Sequence, residues 1–281
     1  MTAALVTDSR AAYSRRTEVR GMKASMRAAT FDLPRLRANI KPFKLHYFPK
    51  LKSTNDHAAE LRRRGKLFAP AIVLTSNQIK GRGRGSNSWW SDAGSITVTF
   101  VFPFEEHLSP HQVPLAAGLA VRDAAAELTR DESIKLKWPN DIVHDGKKLA
   151  GLLCERINKV DLVGVGLNVN TRIPAAPKAL RAQITSLAKI ADKPIDLTDA
   201  LIALAKHLHP ALTRRGERLF VETLQRYDAH HALVGKQVSV TEAGTEASIS
   251  GRCAGLDSKG RLLVRKNNKT HAVIAGQVRM H

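Results

Sequence analysis

Cysteine is nearly missing from this chain: two occur in 281 residues, Cys154 and Cys253. Two thiols so far apart in sequence give neither a metal-ligand spacing nor a disulfide framework, so a reducing compartment, the cytoplasm, is the expected setting. Both read as small strand hydrophobes rather than reactive thiols. No run of about 18 apolar residues is present, so the sequence offers no membrane-spanning helix. No Ser-His-Asp order, paired glycosidase carboxylates or His/Cys metal cluster stands out, and the eleven histidines are scattered. Aromatic residues are 5% of the chain, too few and too dispersed to suggest a stacking platform for nucleic acid. Acidic residues are also scarce, 25 against 45 Lys and Arg, for a formal charge of +20. Such a balance points to polyanionic partners: nucleic acid, an acidic protein or phosphorylated ligands. Much of the excess is local. Residues 1–52 hold twelve Lys or Arg against Asp8, Glu18 and Asp32.

What is present organises into three parts. Residues 1–30 are basic, Ser-bearing and acid-poor, a composition that organellar transit peptides share but that is read here as a disordered tail. Residues 31–231 form a main domain of mixed elements. Lys44–Phe48 and Ala71–Thr75 read as strands, with a helix from an N-cap at Ser53 to Gly65 between them. Ser95–Phe102 follows as a strand, then a helix of small apolar residues over 111–128. Ile134–Trp138, a hairpin turning at Asp145-Gly146, and Asp161–Val169 add further strands. Hairpins recur without regular strand–helix alternation, which predicts an α+β fold with a mixed β-sheet and flanking helices. After helices over 197–215 and 217–227, residues 232–281 turn to β-branched residues, glycines and turns. Four or five short strands there predict a small β-barrel.

Three motifs carry the chemistry. Gly81-Arg82-Gly83-Arg84-Gly85 sets two forked cations on a backbone that can approach a ligand closely, with Trp89 and Trp90 just beyond. It suits an anionic phosphate, although a solvated basic loop or an Arg finger in a DNA minor groove has the same composition. Lys137-Trp138-Pro139-Asn140-Asp141 is a stiffened turn that projects Asn140 and Asp141 from a strand end. Asn140 can hold a ring or ribose edge and Asp141 a ligand N–H or a magnesium ion; a plain Asx turn is the alternative. Lys148 enters an apolar strand, where an ammonium either snorkels outward or meets an anion. In Val163-Gly164-Val165-Gly166-Leu167-Asn168, alternate glycines clear one strand face, so that a flat group can lie on it or a neighbouring element can pack close.

Taken in order, Ser53-Thr54-Asn55, Gln78…Gly81-Arg82-Gly83-Arg84…Trp89, Lys137-Trp138-Pro139-Asn140-Asp141…Lys148-Leu149-Ala150-Gly151 and Gly164-Val165-Gly166-Leu167-Asn168 resemble the biotin–protein ligase family. The resemblance runs from Lys44 to His281. It implies a class II synthetase-like biotin/lipoate ligase fold followed by an SH3-like C-terminal domain. It also implies a two-step reaction in which biotin and MgATP give biotinyl-5'-AMP, and a carrier-domain lysine then takes the biotin. By position, Ser53, Thr54, Asn55, Gln78, Gly81, Arg82, Arg84, Lys148 and Gly151 would line the biotin site. Arg82, Arg84, Trp89, Asn140, Lys148 and Asn168 would face the nucleotide. Lys148, Arg84 and Asp141 would form the catalytic set, Asp141 either bonding biotin or orienting Lys148. No protein metal cluster is implied, magnesium arriving with ATP. The implied partner is the biotin carboxyl carrier domain of a carboxylase, with a homodimer possible and no specific DNA or membrane binding. Lys80 stands where many relatives place a small residue, and Gly276-Gln277-Val278 where an acidic residue is usual. Without two amphipathic helices around a turn ahead of Ser53, the chain resembles the single-function type that lacks a helix-turn-helix repressor domain. Lipoate or octanoate ligation, which uses the same adenylate logic, is the neighbouring alternative, and nucleic-acid binding the distant one.

Overall fold

A computed structural model describes residues 31–106, 108–214, 218–242 and 247–281. The expected basic tail over 1–30, and Gly216 between the helices expected over 197–215 and 217–227, lie outside the described residues. In chain order the elements are α1 (Leu33–Asn39), β1 (Lys44–Phe48), α2 (Thr54–Arg63), β2 (Ala71–Thr75), β3 (Gly81–Arg82), β4 (Ser88–Trp89), β5 (Ser95–Pro103) and α3 (Val113–Thr129). Next come β6 (Lys135–Lys137), β7 (Asp141–His144), β8 (Lys147–Ile157), β9 (Val160–Asn168), a 3₁₀ turn at Ile173–Ala175, α4 (Lys178–Arg181), α5 (Leu187–Ala191), α6 (Leu197–Thr213) and α7 (Leu219–Ala229). The chain closes with β10 (Gln237–Glu242), β11 (Ser248–Leu256), β12 (Leu262–Lys266), β13 (Lys269–Val273) and β14 (Gly276–Met280).

The mixed sheet expected from the hairpins has seven strands in the order β1-β2-β5-β9-β8-β7-β6, parallel only at β1–β2. Period-two alternation gives its two faces different tasks. Ile72, Phe100 and Phe102 on one face are fully buried on the side that α6 packs against, where Phe43 meets both phenylalanine rings edge-on at 5.5 and 5.4 Å. On the other face, Ala71, Val73, Val101 and Leu162 take the apolar side of α2, through Ala58 and Ala59. Farther along that face Thr97, Gly166 and Gly151 stand in register with no helix over them. The uncovered part becomes a cleft.

Helix α2 begins where its cap chemistry says it should. Ser53 Oγ accepts the Asp56 amide at 3.3 Å, an N-cap worth about 1 kcal/mol. Helix α1 was not expected. Asp32 caps it and Pro34 sits in its first turn, but only Leu36 is buried, so apolar periodicity is almost absent and its arginines read as tail charge. The last five strands form an antiparallel sheet, β13-β12-β11-β10-β14, coiled at an irregularity between Cys253 and Leu256. It docks through backbone acceptors: Trp138 Nε1 donates to Gly260 O at 3.3 Å, and Arg84 Nη1 to Gly276 O at 3.3 Å. Both cysteines are free, in β8 and β11, and burial is the main reason each thiol is pushed up.

Candidate active site

The uncovered sheet face opens into a cleft of about 890 Å³. Chain segments far apart in sequence build its walls, among them the start of α2, the glycine loop, the hairpin β7–β8 with the turn before it, and β14. Ser53, Thr54, Asn55, Gln78, Arg82, Arg84, Trp89, Asn140, Asp141, Lys148, Gly151 and Asn168 all line it, so nearly every residue singled out in the sequence meets there. Gly81 does not. It pairs with Trp89 across the two-stranded β3–β4 ribbon, where a Cβ would lie 2.5 Å from Trp89 O.

At one end, the polar groups of α2 are already fixed. Gln78 Oε1 accepts from Thr54 N at 2.9 Å and from Thr54 Oγ1 at 3.3 Å. Asn55, 3% exposed, donates Nδ2 to Leu153 O at 3.0 Å and to Glu155 Oε2 at 2.8 Å, while its Oδ1 accepts from Thr99 at 2.6 Å. A side-chain amide bonded on both sides cannot rotate without breaking several bonds. Asp56 does not reach back to close a reciprocal capping box; its carboxylate pairs with Arg82 Nη2 at 2.7 Å.

Lys148 and Arg84 are two of the cations that line the cleft. Lys148 Nζ lies 2.7 Å from Asp141 Oδ1 and 5.6 Å from the centre of the Trp89 ring. That contact pairs the carboxylate of Asp141 with the ammonium of Lys148. Gly151 makes room for the lysine stem, since a Cβ there would meet Lys148 Cε at 2.9 Å. Arg84 Nη1 is held by neutral oxygens, Asn140 Oδ1 at 3.4 Å and Gly276 O at 3.3 Å. Burial lowers its pKa despite the favourable charge of Asp141, yet a guanidinium stays protonated. A cation half-withdrawn from water and held by neutral acceptors retains most of its pull on an incoming anion. Arg82 differs. Burial would lower its pKa, but hydrogen bonding and charge from Glu155, then from Asp56, leave it raised.

The cleared strand face is occupied by the chain itself. Trp89 lies against Gly166, where a Cβ would sit 2.3 Å from its ring, and Asn55 Oδ1 fills the equivalent space at Gly164. Trp89 Nε1 is buried without a protein acceptor. Asn168, 2% exposed, donates Nδ2 to Lys148 O at 3.4 Å and accepts at Oδ1 from Thr171 Oγ1 at 3.3 Å. Sequence reasoning missed Gln183 and Ile184, whose segment brackets Lys148 through Lys148 N to Gln183 O (2.7 Å) and Thr185 N to Lys148 O (3.0 Å). It also missed Gln277 and Arg279 of β14 as cleft residues. No local pattern signals them, because only the docking of the second sheet brings them in. Among the described residues, no group of three or more His, Cys, Asp or Glu could hold a metal, and no helix is long and apolar enough to cross a membrane.

Residues 47–171 match the biotin/lipoate A/B protein ligase family, and residues 233–280 the biotin protein ligase C-terminal domain. Over 231 residues the chain is 28% identical to the biotin–(acetyl-CoA-carboxylase) ligase of Mycobacterium tuberculosis, covering 80% of this chain and 85% of that one. Biotin–protein ligase 1, chloroplastic, of Arabidopsis thaliana is 32% identical over 139 residues, which span 46% of this chain and 37% of the plant protein. Among solved structures, the biotin protein ligase of Aquifex aeolicus in complex with biotin and ATP superposes with a TM-score of 0.76 at 27% identity. That match covers 85% of this chain and 99% of the Aquifex chain.

Proposed function

Because the chain belongs to the biotin protein ligase family, we propose that its cleft joins biotin to ATP and passes the biotinyl group to a lysine of a carboxylase's carrier domain. The single observation that carries this reading is the pairing, in one cleft, of a fixed polar end (Thr54, Asn55 and Gln78) with a cationic end (Lys148 and Arg84). The first end offers amide and hydroxyl groups to a ureido ring. The second faces the carboxylate at the other end of such an acid.

In the proposed first step a carboxylate oxygen of biotin attacks the α-phosphorus of MgATP. A new O–P bond forms, the bond from that phosphorus to the bridging oxygen breaks, and pyrophosphate leaves with the electron pair. Negative charge grows on the α-phosphate oxygens, where Lys148 and Arg84 act as preorganised counter-charges that need no reorganisation during reaction. Asp141 holds the ammonium of Lys148 in place. Arg82 sits at the loop's base, Trp89 and Asn140 are the groups nearest to receive the adenosine, and Asn168 fixes the backbone at Lys148. In the second step the neutral amine of the carrier lysine attacks the acyl carbon, the bond to the phosphate oxygen breaks, AMP departs and the amine loses a proton.

Biotin-dependent exchange of labelled pyrophosphate into ATP tests the first step, with octanoate and lipoate as parallel acids. Exchange with biotin alone is expected. Exchange only with a fatty acid would move the chain to the lipoate branch. Lys148→Ala should cut exchange by roughly a hundredfold or more without unfolding the protein; near-normal exchange in that variant would refute the role given to Lys148.

A further inference from the structure

Glu155 belongs to none of the sequence motifs and does not line the cleft, yet the glycine loop and the start of α2 both converge on its carboxylate. Arg82 Nη2, from the glycine loop, lies 3.0 Å from Oε1 and 2.9 Å from Oε2. Asn55 Nδ2, from the cleft floor, donates to the same Oε2 at 2.8 Å. Arg82 Nη2 also reaches Asp56 Oδ1 at 2.7 Å. The contacts therefore run Thr99, Asn55, Glu155, Arg82 and Asp56, leaving α2 at Asn55 and returning to it at Asp56 through the glycine loop.

We infer that Glu155 is a positioning residue: it ties the floor amide to the glycine loop, so that a correctly placed floor favours a closed loop. This rests on the reading of the cleft as an acid-and-nucleotide site. Two charges explain the coupling. If the loop lifts, Asp56 and Glu155 lose their shared cation and face each other across the floor, while Glu155 keeps only its bond to Asn55. Closure removes that repulsion, and the second oxygen of Glu155 keeps the Asn55 amide turned so that Oδ1 faces Thr99. A carboxylate is required, because only an ionised group accepts from an amide and a guanidinium at once without offering a competing donor. The side chains of Arg82, Asp56 and Glu155 are 40%, 54% and 29% exposed, so the clasp is screened by salt and moderate in strength.

Glu155→Gln keeps the shape and removes the charge. In biotin-dependent pyrophosphate exchange it should raise the KM for biotin about threefold to tenfold, with a much smaller change in kcat. Added salt should raise the parent's KM and leave the variant's nearly flat. Arg82→Gln should behave alike, and the double variant should be no worse than either single one. Without any ligand, trypsin should cleave after Arg84 faster in Glu155→Gln than in the parent. Losses that multiply in the double variant, or a fall in kcat with KM unchanged, would overturn the clasp. So would equal cleavage rates. If the parent itself shows no biotin-dependent exchange while the tryptic difference persists, the substrate assignment fails and the clasp stands.

Discussion

Around Gly85, glycine leaves space empty; around Gly164 and Gly166, it leaves space for something else. Gly85 has φ +60 and nothing within 4 Å of where a Cβ would be, so its role is backbone conformation in a loop that must approach a ligand. Gly164 and Gly166 have ordinary strand backbones, yet a Cβ at either would lie 2.3 Å from another side chain of the site. The two glycine-rich stretches look alike in composition and do different work. One provides access and little stability; the other seats Asn55 and Trp89 closely on the sheet. Preorganisation therefore belongs to the strand, and adjustability to the loop.

Gly164→Ala should break the comparison hardest. Its methyl would strike Asn55 Oδ1, and Asn55 has no slack, being buried and bonded to Leu153, Glu155 and Thr99. Overpacking with loss of a buried hydrogen bond should cost about 2 kcal/mol or more, a fall in Tm of roughly 4–8 °C. A Tm within a degree of the parent would show that the floor is softer than its bonds imply.

Gly166→Ala should cost less. Here the obstacle is the indole of Trp89, a side chain carried on the two-residue β4 strand rather than one tied by hydrogen bonds as Asn55 is. We expect about 1 kcal/mol of destabilisation. Tryptophan emission should shift to longer wavelength as the ring meets water. Unchanged emission would mean that Trp89 is held by more than the space above Gly166.

How much of this was legible in the sequence follows the same division. Strand β2, the α2 cap at Ser53 and the hairpin at Asp145-Gly146 were readable because each rests on nearest neighbours: β-branched runs, an N-cap oxygen, a turn pair. Helix α1 was not, since one buried leucine leaves no periodicity to see. The site residues were legible as motifs, and all but Gly81 reach the cleft wall. Their division of labour was hidden. Arg82 and Arg84 stand two residues apart with identical chemistry. Only tertiary placement gives the first two carboxylates and the second two neutral oxygens. The same holds for the cleared strand face, whose occupants turned out to be Asn55 and Trp89 of the chain itself.

Arg84→Gly should have the smallest effect on folding and still divide the two regions most sharply. The side chain makes two long hydrogen bonds to neutral partners, so its loss removes little from the folded protein. What disappears is a cation whose hydrogen-bond partners are neutral, beside the proposed phosphate position. The bound adenylate should then dissociate faster by about tenfold or more, with Tm almost unmoved. Rapid-quench or fluorescence measurement of adenylate release would read this directly. If release is unchanged while Tm falls, Arg84 is a structural tie between the glycine loop and β14, and the access assigned to this loop would have to come from its backbone alone.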